Sequence, residues 1–230
     1  MAIVETHLHT GTIGTAPTLE GEGYDTEQGG GRVYTAGGVG QPSSIRFPGG
    51  QVSRYADFNI VPFIGTYFRL PAMPAANVTP LRVVDAGGSS LAAVLVDTAL
   101  RVGIYQGLNP EVDISAMALT IGTWYRFEWR VSGGTQELRI FATEGSTPLE
   151  TLTGASEPPE AGRWFVGTAW GAHLGGPYDL GTTVLATDWP NLFPDTTPWA
   201  VWDGAEEQPM TLDGMWNGTA VVPVTFDSIT

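Results

Sequence analysis

The chain has 230 residues, with 31 Gly, 17 Pro and no Cys, and its 24 acidic residues outnumber ten basic ones for a formal net charge of −14. A surface of that sign repels phosphate backbones, and no cluster of Arg with interleaved aromatics is expected to form a patch that could overcome it, so nucleic acid is not an expected partner. Without Cys there is no disulfide framework, no thiolate nucleophile and no Cys-ligated metal.

Residues 1–41 are rich in Gly and Thr, and they are expected to form an extended arm or outer strand followed by loops. The first residues, MAIVETHLHTGTIGTA, lack a basic start and a long apolar run, so no secretory signal is expected. His7 and His9 would share one face of a strand, but zinc needs three or four ligands and no companion lies at a useful spacing. The pair is read as incidental.

From Ser43 a strand pattern begins: SSIRF, ADFNIVPF and GTYFRL, broken at Pro48-Gly49-Gly50, Pro62 and Pro71. Leu81 to Ile104 runs LRVVD, turns at Ala86-Gly87-Gly88-Ser89, continues LAAVLVD and turns again into LRVGIY, which predicts a meander. Asn109 to Leu119, NPEVDISAMAL, comes nearest to a helix and is expected to be a loop with at most one helical turn. In Gly122 to Ala142, Tyr125, Phe127, Trp129 and Val131 alternate with Arg126, Glu128 and Arg130. That period of two predicts one packed face and one wet face. Ser132-Gly133-Gly134-Thr135 supplies a tight turn, and Leu138 and Ile140 alternate with Glu137 and Arg139 on the return strand.

RWFVGTAW and TTVLAT read as further strands around the Gly-rich loop GAHLGGPYDLG. Roughly ten strands with Gly- and Pro-rich turns predict an all-β, antiparallel two-sheet jelly-roll sandwich over residues 42–190. Residues 191–230 change character. Trp202-Asp203-Gly204-Ala205 recurs as Trp216-Asn217-Gly218-Thr219, and Asp-Gly and Asn-Gly are strong turn formers. A C-terminal hairpin extension is expected there. No apolar run approaches the roughly 20 residues of a membrane-spanning helix, so no membrane insertion is expected.

Together these pieces resemble the concanavalin-like, laminin-G-like jelly rolls of minor tail proteins from bacteriophages with actinobacterial hosts. The resemblance rests on Thr123-Trp124-Tyr125-Arg126-Phe127-Glu128-Trp129 with its Gly-Gly turn and ELRIF, and on Trp164-Phe165-Val166-Gly167. Pro177-Tyr178-Asp179, Trp189-Pro190 and the V-W-D-G and M-W-N-G-T-A-V-V-P-V endings complete it. It implies a non-enzymatic structural component of a virion, on the phage tail or particle surface, made in the host cytoplasm. It also implies other virion proteins and further copies of this chain as partners, with a host-surface glycan as a ligand.

Glycosidases on such sandwiches place E-x-D-x-E or E-x-D-x-x-E on one strand. Glu111-Val112-Asp113 starts that pattern, and Ser115 and Ala116 break it, so no catalytic pair is expected. No G-x-S-x-G is present either. Calcium is the ion that the resemblance implies. Asp25, Asp85, Asp97 and Asp179 sit at predicted turns where oxygen ligands could converge, and turn aspartates also bond their own backbone. For a glycan, Trp170, His173, Tyr178 and Asp179 on the Gly-rich loop are the candidates. Trp129 and Trp164 read as core, and Trp189 as an anchor for the tail. Trp199, Trp202, Trp216 and Asn217 are expected to serve assembly, since Trp is enriched where subunits meet.

Overall fold

The computed structural model describes residues 3–9, 11–18, 23–39, 41–58, 61–107, 111–143, 145–157, 161–168, 174–189, 200–202, 207–209, 215–216 and 221–222. Among these every regular element is a strand. The chain divides into two compact units, Met1–Pro190 and Asn191–Thr230.

The first unit is a sandwich of two antiparallel sheets. One sheet runs β13 (Glu150–Ala155), β12 (Thr135–Ala142), β11 (Trp124–Ser132), β6 (Phe63–Arg69), β15 (Tyr178–Ala186), β4 (Gln41–Phe47) and β3 (Val33–Gly38). Its eighth strand, β1 (Ile3–His7), pairs with the far half of β15. The other sheet has seven strands: β10 (Glu111–Ala118), β9 (Arg101–Gln106), β8 (Ser90–Val96), β7 (Val78–Asp85), β14 (Ala161–Thr168), β5 (Ser53–Asp57) and β2 (Thr26–Gln28). The expected meander is the run β7-β8-β9-β10, and the expected hairpin is β11-β12 in register from Tyr125↔Ala142 to Ser132↔Thr135.

The alternating aromatics do what their period demands. Phe68, Phe127, Trp129, Tyr178 and Leu180 from one sheet meet Tyr55, Leu81, Val94, Ile104, Trp164 and Val166 from the other in one buried cluster. Trp129 and Trp164 join the sheets edge to face at 5.4 Å, and Phe68 stacks on Phe127 at 5.1 Å. Burying an indole requires a partner for its N–H. Trp164 donates to the Val61 carbonyl at 3.0 Å and Trp129 to the Gln136 amide oxygen at 3.3 Å. The same Gln136 donates to the carbonyls of Tyr105 and Ala155, so one buried amide ties β12 to the facing sheet.

Within residues 1–41, expected as an extended arm or outer strand followed by loops, three strands form: β1 and β3 extend one sheet and β2 the other. Strand pairing absorbs a segment whose own side chains are too small and polar to announce it. The segment expected as a loop is β10, an edge strand whose acidic and small residues carry little β signal. It is held from the facing sheet, where the Glu150 carboxylate accepts the backbone N–H groups of Ala116 and Met117 and Asp113 accepts that of Thr153. Finally, the face of β11 expected to be wet buries Arg126 and Glu128 as an ion pair at 2.9 Å. Arg126 also donates to the Gly145 carbonyl and lies over the Phe141 ring at 4.0 Å, so its charge is fully engaged.

Trp189, at the exit from the sandwich, packs against Phe63 at 5.1 Å under the Arg139 guanidinium at 3.6 Å. The second unit contains two short antiparallel pairs, β16 (Ala200–Trp202) with β17 (Glu207–Pro209) and β18 (Met215–Trp216) with β19 (Val221–Val222). Each Trp of the internal repeat ends the first strand of a pair.

Candidate functional site

The register of the seven-stranded sheet fixes a row of side chains across its outer face. Thr26 faces Ala56, Ala56 faces Phe165, Phe165 faces Arg82, Arg82 faces Ala93 and Ala93 faces Tyr105. Opposed residues in a ladder share a face, and residues two apart along a strand return to it. Arg54 and Phe58 therefore join Ala56, and Arg163 joins Phe165, while Tyr55 and Trp164 point into the core.

The outcome is a concentration of positive charge on an acidic chain. The guanidinium of Arg54 lies 4.1 Å from the centre of the Phe165 ring, that of Arg82 at 5.9 Å and that of Arg163 at 6.0 Å. Arg163 also lies over Phe58 at 5.1 Å, and Phe58 is 44% exposed. Arg54 donates to the Gln28 side-chain oxygen, and Arg82 to the Ser90 hydroxyl at 3.1 Å. The Nε of Arg163 is buried and has no hydrogen-bond partner among the described residues. Burial, and then the charge of Arg163, hold Arg54 below the ordinary arginine range; burial and Arg54 do the same to Arg82. Beside this cluster opens a cleft of about 240 Å³ lined by Thr26, Glu27, Gln28, Arg54, Arg163 and Phe165. Among the described residues its one carboxylate, Glu27, is paired with Arg32 at 3.0 Å.

No sequence motif announces this site. Its three Arg lie on β5, β7 and β14, which are neighbours in space and far apart in the chain. The expectation that no Arg clusters with aromatics holds along the sequence and fails across the sheet.

The residues nominated for a glycan are not gathered into such a face. Trp170 and His173 lie outside the described residues. Tyr178 is wholly buried, stacked on Phe47 at 5.3 Å, and offers no ring to a sugar. Asp179, also wholly buried, accepts the forks of two guanidiniums: Arg46 at 2.7 and 3.0 Å, and Arg69 at 2.9 and 2.6 Å. Both residues fall in β15, inside the sheet, where the expected loop has already ended. Among the assembly candidates, Trp199 and Asn217 lie outside the described residues, and Trp202 and Trp216 are described only as strand positions.

The four aspartates are not gathered into a group of three potential metal ligands among the described residues. Asp25 accepts the Phe58 N–H, Asp85 that of Ser89, and Asp97 those of Ala99 and Arg101. Asp85 and Asp97 close their own turns, Asp25 holds the end of β5 33 residues on, and Asp179 is saturated by arginine. Glu111 and Asp113, the truncated acid pattern, serve the structure as well, Glu111 accepting the Tyr105 hydroxyl at 2.8 Å.

His7 and His9 are buried rather than incidental. The Nε2 of His7 lies 3.0 Å from Asp57 and 3.8 Å from Glu5, and its ring stacks on Tyr24, which stacks on Tyr55. The carbonyl of His9 accepts the Ser43 hydroxyl. Glu5, His7 and Asp57 form the one group of three potential metal ligands among the described residues. The 3.0 Å separation is that of a hydrogen bond, and it fastens β1 of one sheet to β5 of the other.

No family model matches this chain, and no curated protein matches it. Among solved structures, it is similar to Trypanosoma rangeli sialidase in complex with 2,3-difluorosialic acid, as the covalent intermediate. The TM-score is 0.51 at 12% identity, over 82% of this chain and 31% of that one. The chain thus spans less than a third of that sialidase. It is also similar to the exoplasmic/lumenal domain of VIP36 in its Ca²⁺/Man3GlcNAc-bound form, with a TM-score of 0.45 at 12% identity, over 74% of this chain and 89% of that one. The likeness at a TM-score of 0.51 agrees with a β-sandwich fold.

Proposed function

We propose that this chain is a non-catalytic carbohydrate-recognition module that presents the outer face of its seven-stranded sheet to a glycan. The observation that carries this reading is the cleft beside Phe165. Guanidinium and amide donors line it, and the exposed Phe58 ring stands against Arg163 on the same face, the mixture of planar apolar surface and polar edges that a sugar requires. A glycan array probed with the full chain tests it. Binding that is lost in Phe58→Ala supports the reading, and an array without hits overturns it.

The proposed setting is a bacteriophage particle, with the chain as a minor tail protein among other virion proteins and copies of itself. That part rests on the sequence resemblance around Trp124–Trp129 and the Trp-Asp-Gly and Trp-Asn-Gly endings. Mass spectrometry of purified particles tests it separately. Stoichiometric recovery of the chain supports a virion role, and recovery only from the soluble fraction rejects it.

A further inference from the structure

We propose that Glu5, His7 and Asp57 form a binding site for one divalent transition-metal ion of the zinc class, which clips the first strand to the facing sheet. Sequence spacing supplies only part of this set. Glu5 and His7 lie two apart on β1 and so share one of its faces. Asp57 comes from β5 of the other sheet, 50 residues along the chain from His7.

Their donor atoms converge. The Nε2 of His7 lies 3.0 Å from an Asp57 oxygen and 3.8 Å from a Glu5 oxygen, and the three donors all fall within 4.8 Å of one another. Ligands held at about 2.0–2.1 Å around a tetrahedral zinc stand roughly 3.3 Å apart, between those two separations. An ion among the three takes the place of the proton between His7 and Asp57, which leaves to solvent, and only Glu5 must draw closer. Glu5 has room to do so, since its side chain is 26% exposed while those of His7 and Asp57 are 1% and 2% exposed.

One short segment holds both buried ligands. Tyr24 stacks on the His7 ring at 3.8 Å, with the planes 16° apart. Its neighbour Asp25 grips the chain on either side of Asp57, donating its N–H to the Ala56 carbonyl and accepting the Phe58 N–H. Imidazole and carboxylate are therefore aimed in advance, and an ion does not have to order them. The donor set chooses the class. Calcium takes about six to eight oxygens and magnesium keeps several waters, whereas an imidazole nitrogen with two carboxylates suits zinc or a neighbouring transition ion. Three protein ligands leave a fourth tetrahedral position for water. Bound there, the ion ties β1 to β5 through ligands that an unfolded chain does not bring together, so its binding adds to the stability of the fold.

Isothermal titration and thermal melting of the untagged full chain with zinc, calcium and magnesium chloride test the proposal. Zinc is expected to bind as one ion per chain and to raise Tm, and calcium and magnesium at the same concentration are expected to do neither. Glu5→Gln and Asp57→Asn should each weaken zinc binding by more than about tenfold, since even residues behind the ligands of a metal site carry that much. Glu111→Gln, at an exposed carboxylate on β10 that accepts the Tyr105 hydroxyl, should leave binding unchanged and controls for loose attraction to an acidic surface. In the unmodified protein, isotopically labelled at histidine, the His7 Nε2 resonance should shift as zinc is added, which decides the matter if the Asp57 variant does not fold. Zinc binding that is equally tight in Glu5→Gln, or that leaves the His7 resonance unmoved, overturns the site. Calcium bound as tightly as zinc overturns the metal class, and tight binding with no rise in Tm overturns the clip. No binding, or weak uptake of several ions that no variant alters, means adventitious ions only and overturns the proposal.

Discussion

Several buried charged side chains of this sandwich are held by partners of opposite sign. Asp179 is the clearest, a carboxylate with no exposed surface gripped by Arg46 and Arg69 from the strands on either side. Removing one member of such a cluster leaves the others without compensation, and Asp179→Asn should destabilise the fold by about 3 kcal/mol in chemical denaturation. Tyr105 presents the opposite case. Burial first, and then its hydrogen bond to Glu111, raise its hydroxyl well above the ordinary tyrosine range. The folded state therefore resists losing that proton, and the resulting stability is intact below about pH 10 and is lost as pH rises through the folded value. Tyr105→Phe should lack this alkaline loss, so above about pH 10 the wild type should fall in stability relative to the variant. Trp129 and Trp164 were legible as core from alternation alone. Tyr178 and Asp179 were not, because a Gly-rich approach hides that they belong to a strand.

Among the strands, the informative contacts are those that join the two sheets outside their common core. At one edge Glu150 of β13 accepts two backbone N–H groups of β10, and Asp113 of β10 accepts one from β13. Glu150→Ala should expose the amides of Ala116 and Met117 to solvent, speed their hydrogen exchange relative to core strands and cost about 2 kcal/mol. Elsewhere the His7–Asp57 bond and the continuous His7–Tyr24–Tyr55 stack fasten β1 to β5. Hydrophobic alternation identifies strands with a packed face, so β11 and β12 could be read from their letters. It is silent about edge strands such as β2 and β10, whose stability comes from a neighbour's backbone and a few carboxylates.

For the whole molecule, the arrangement of charge matters more than its sum. Net charge of −14 repels anions at long range, although three of the ten Arg, Arg54, Arg82 and Arg163, stand together on one face. The association rate with any acidic glycan that binds should therefore rise between about 10 mM and about 150 mM salt, as the Debye length shrinks from ~30 Å to ~8 Å and screens the overall repulsion. Stopped-flow measurement checks this, and a rate that falls with salt would show local steering to prevail.

The fold class was already present in short stretches of letters, because a period of two, a Gly-Gly turn and a lack of helical spacing are properties of contiguous residues. The β11-β12 hairpin, the β7-β8-β9 meander and the two core Trp all follow from such patterns. The order of strands in each sheet does not, since it depends on which apolar faces close together best across the whole chain. Asp179 meets Arg46 across 133 residues of sequence, and His7 meets Asp57 across 50. The Arg cluster exists only once β5, β14 and β7 lie side by side and put Arg54, Arg163 and Arg82 on one face.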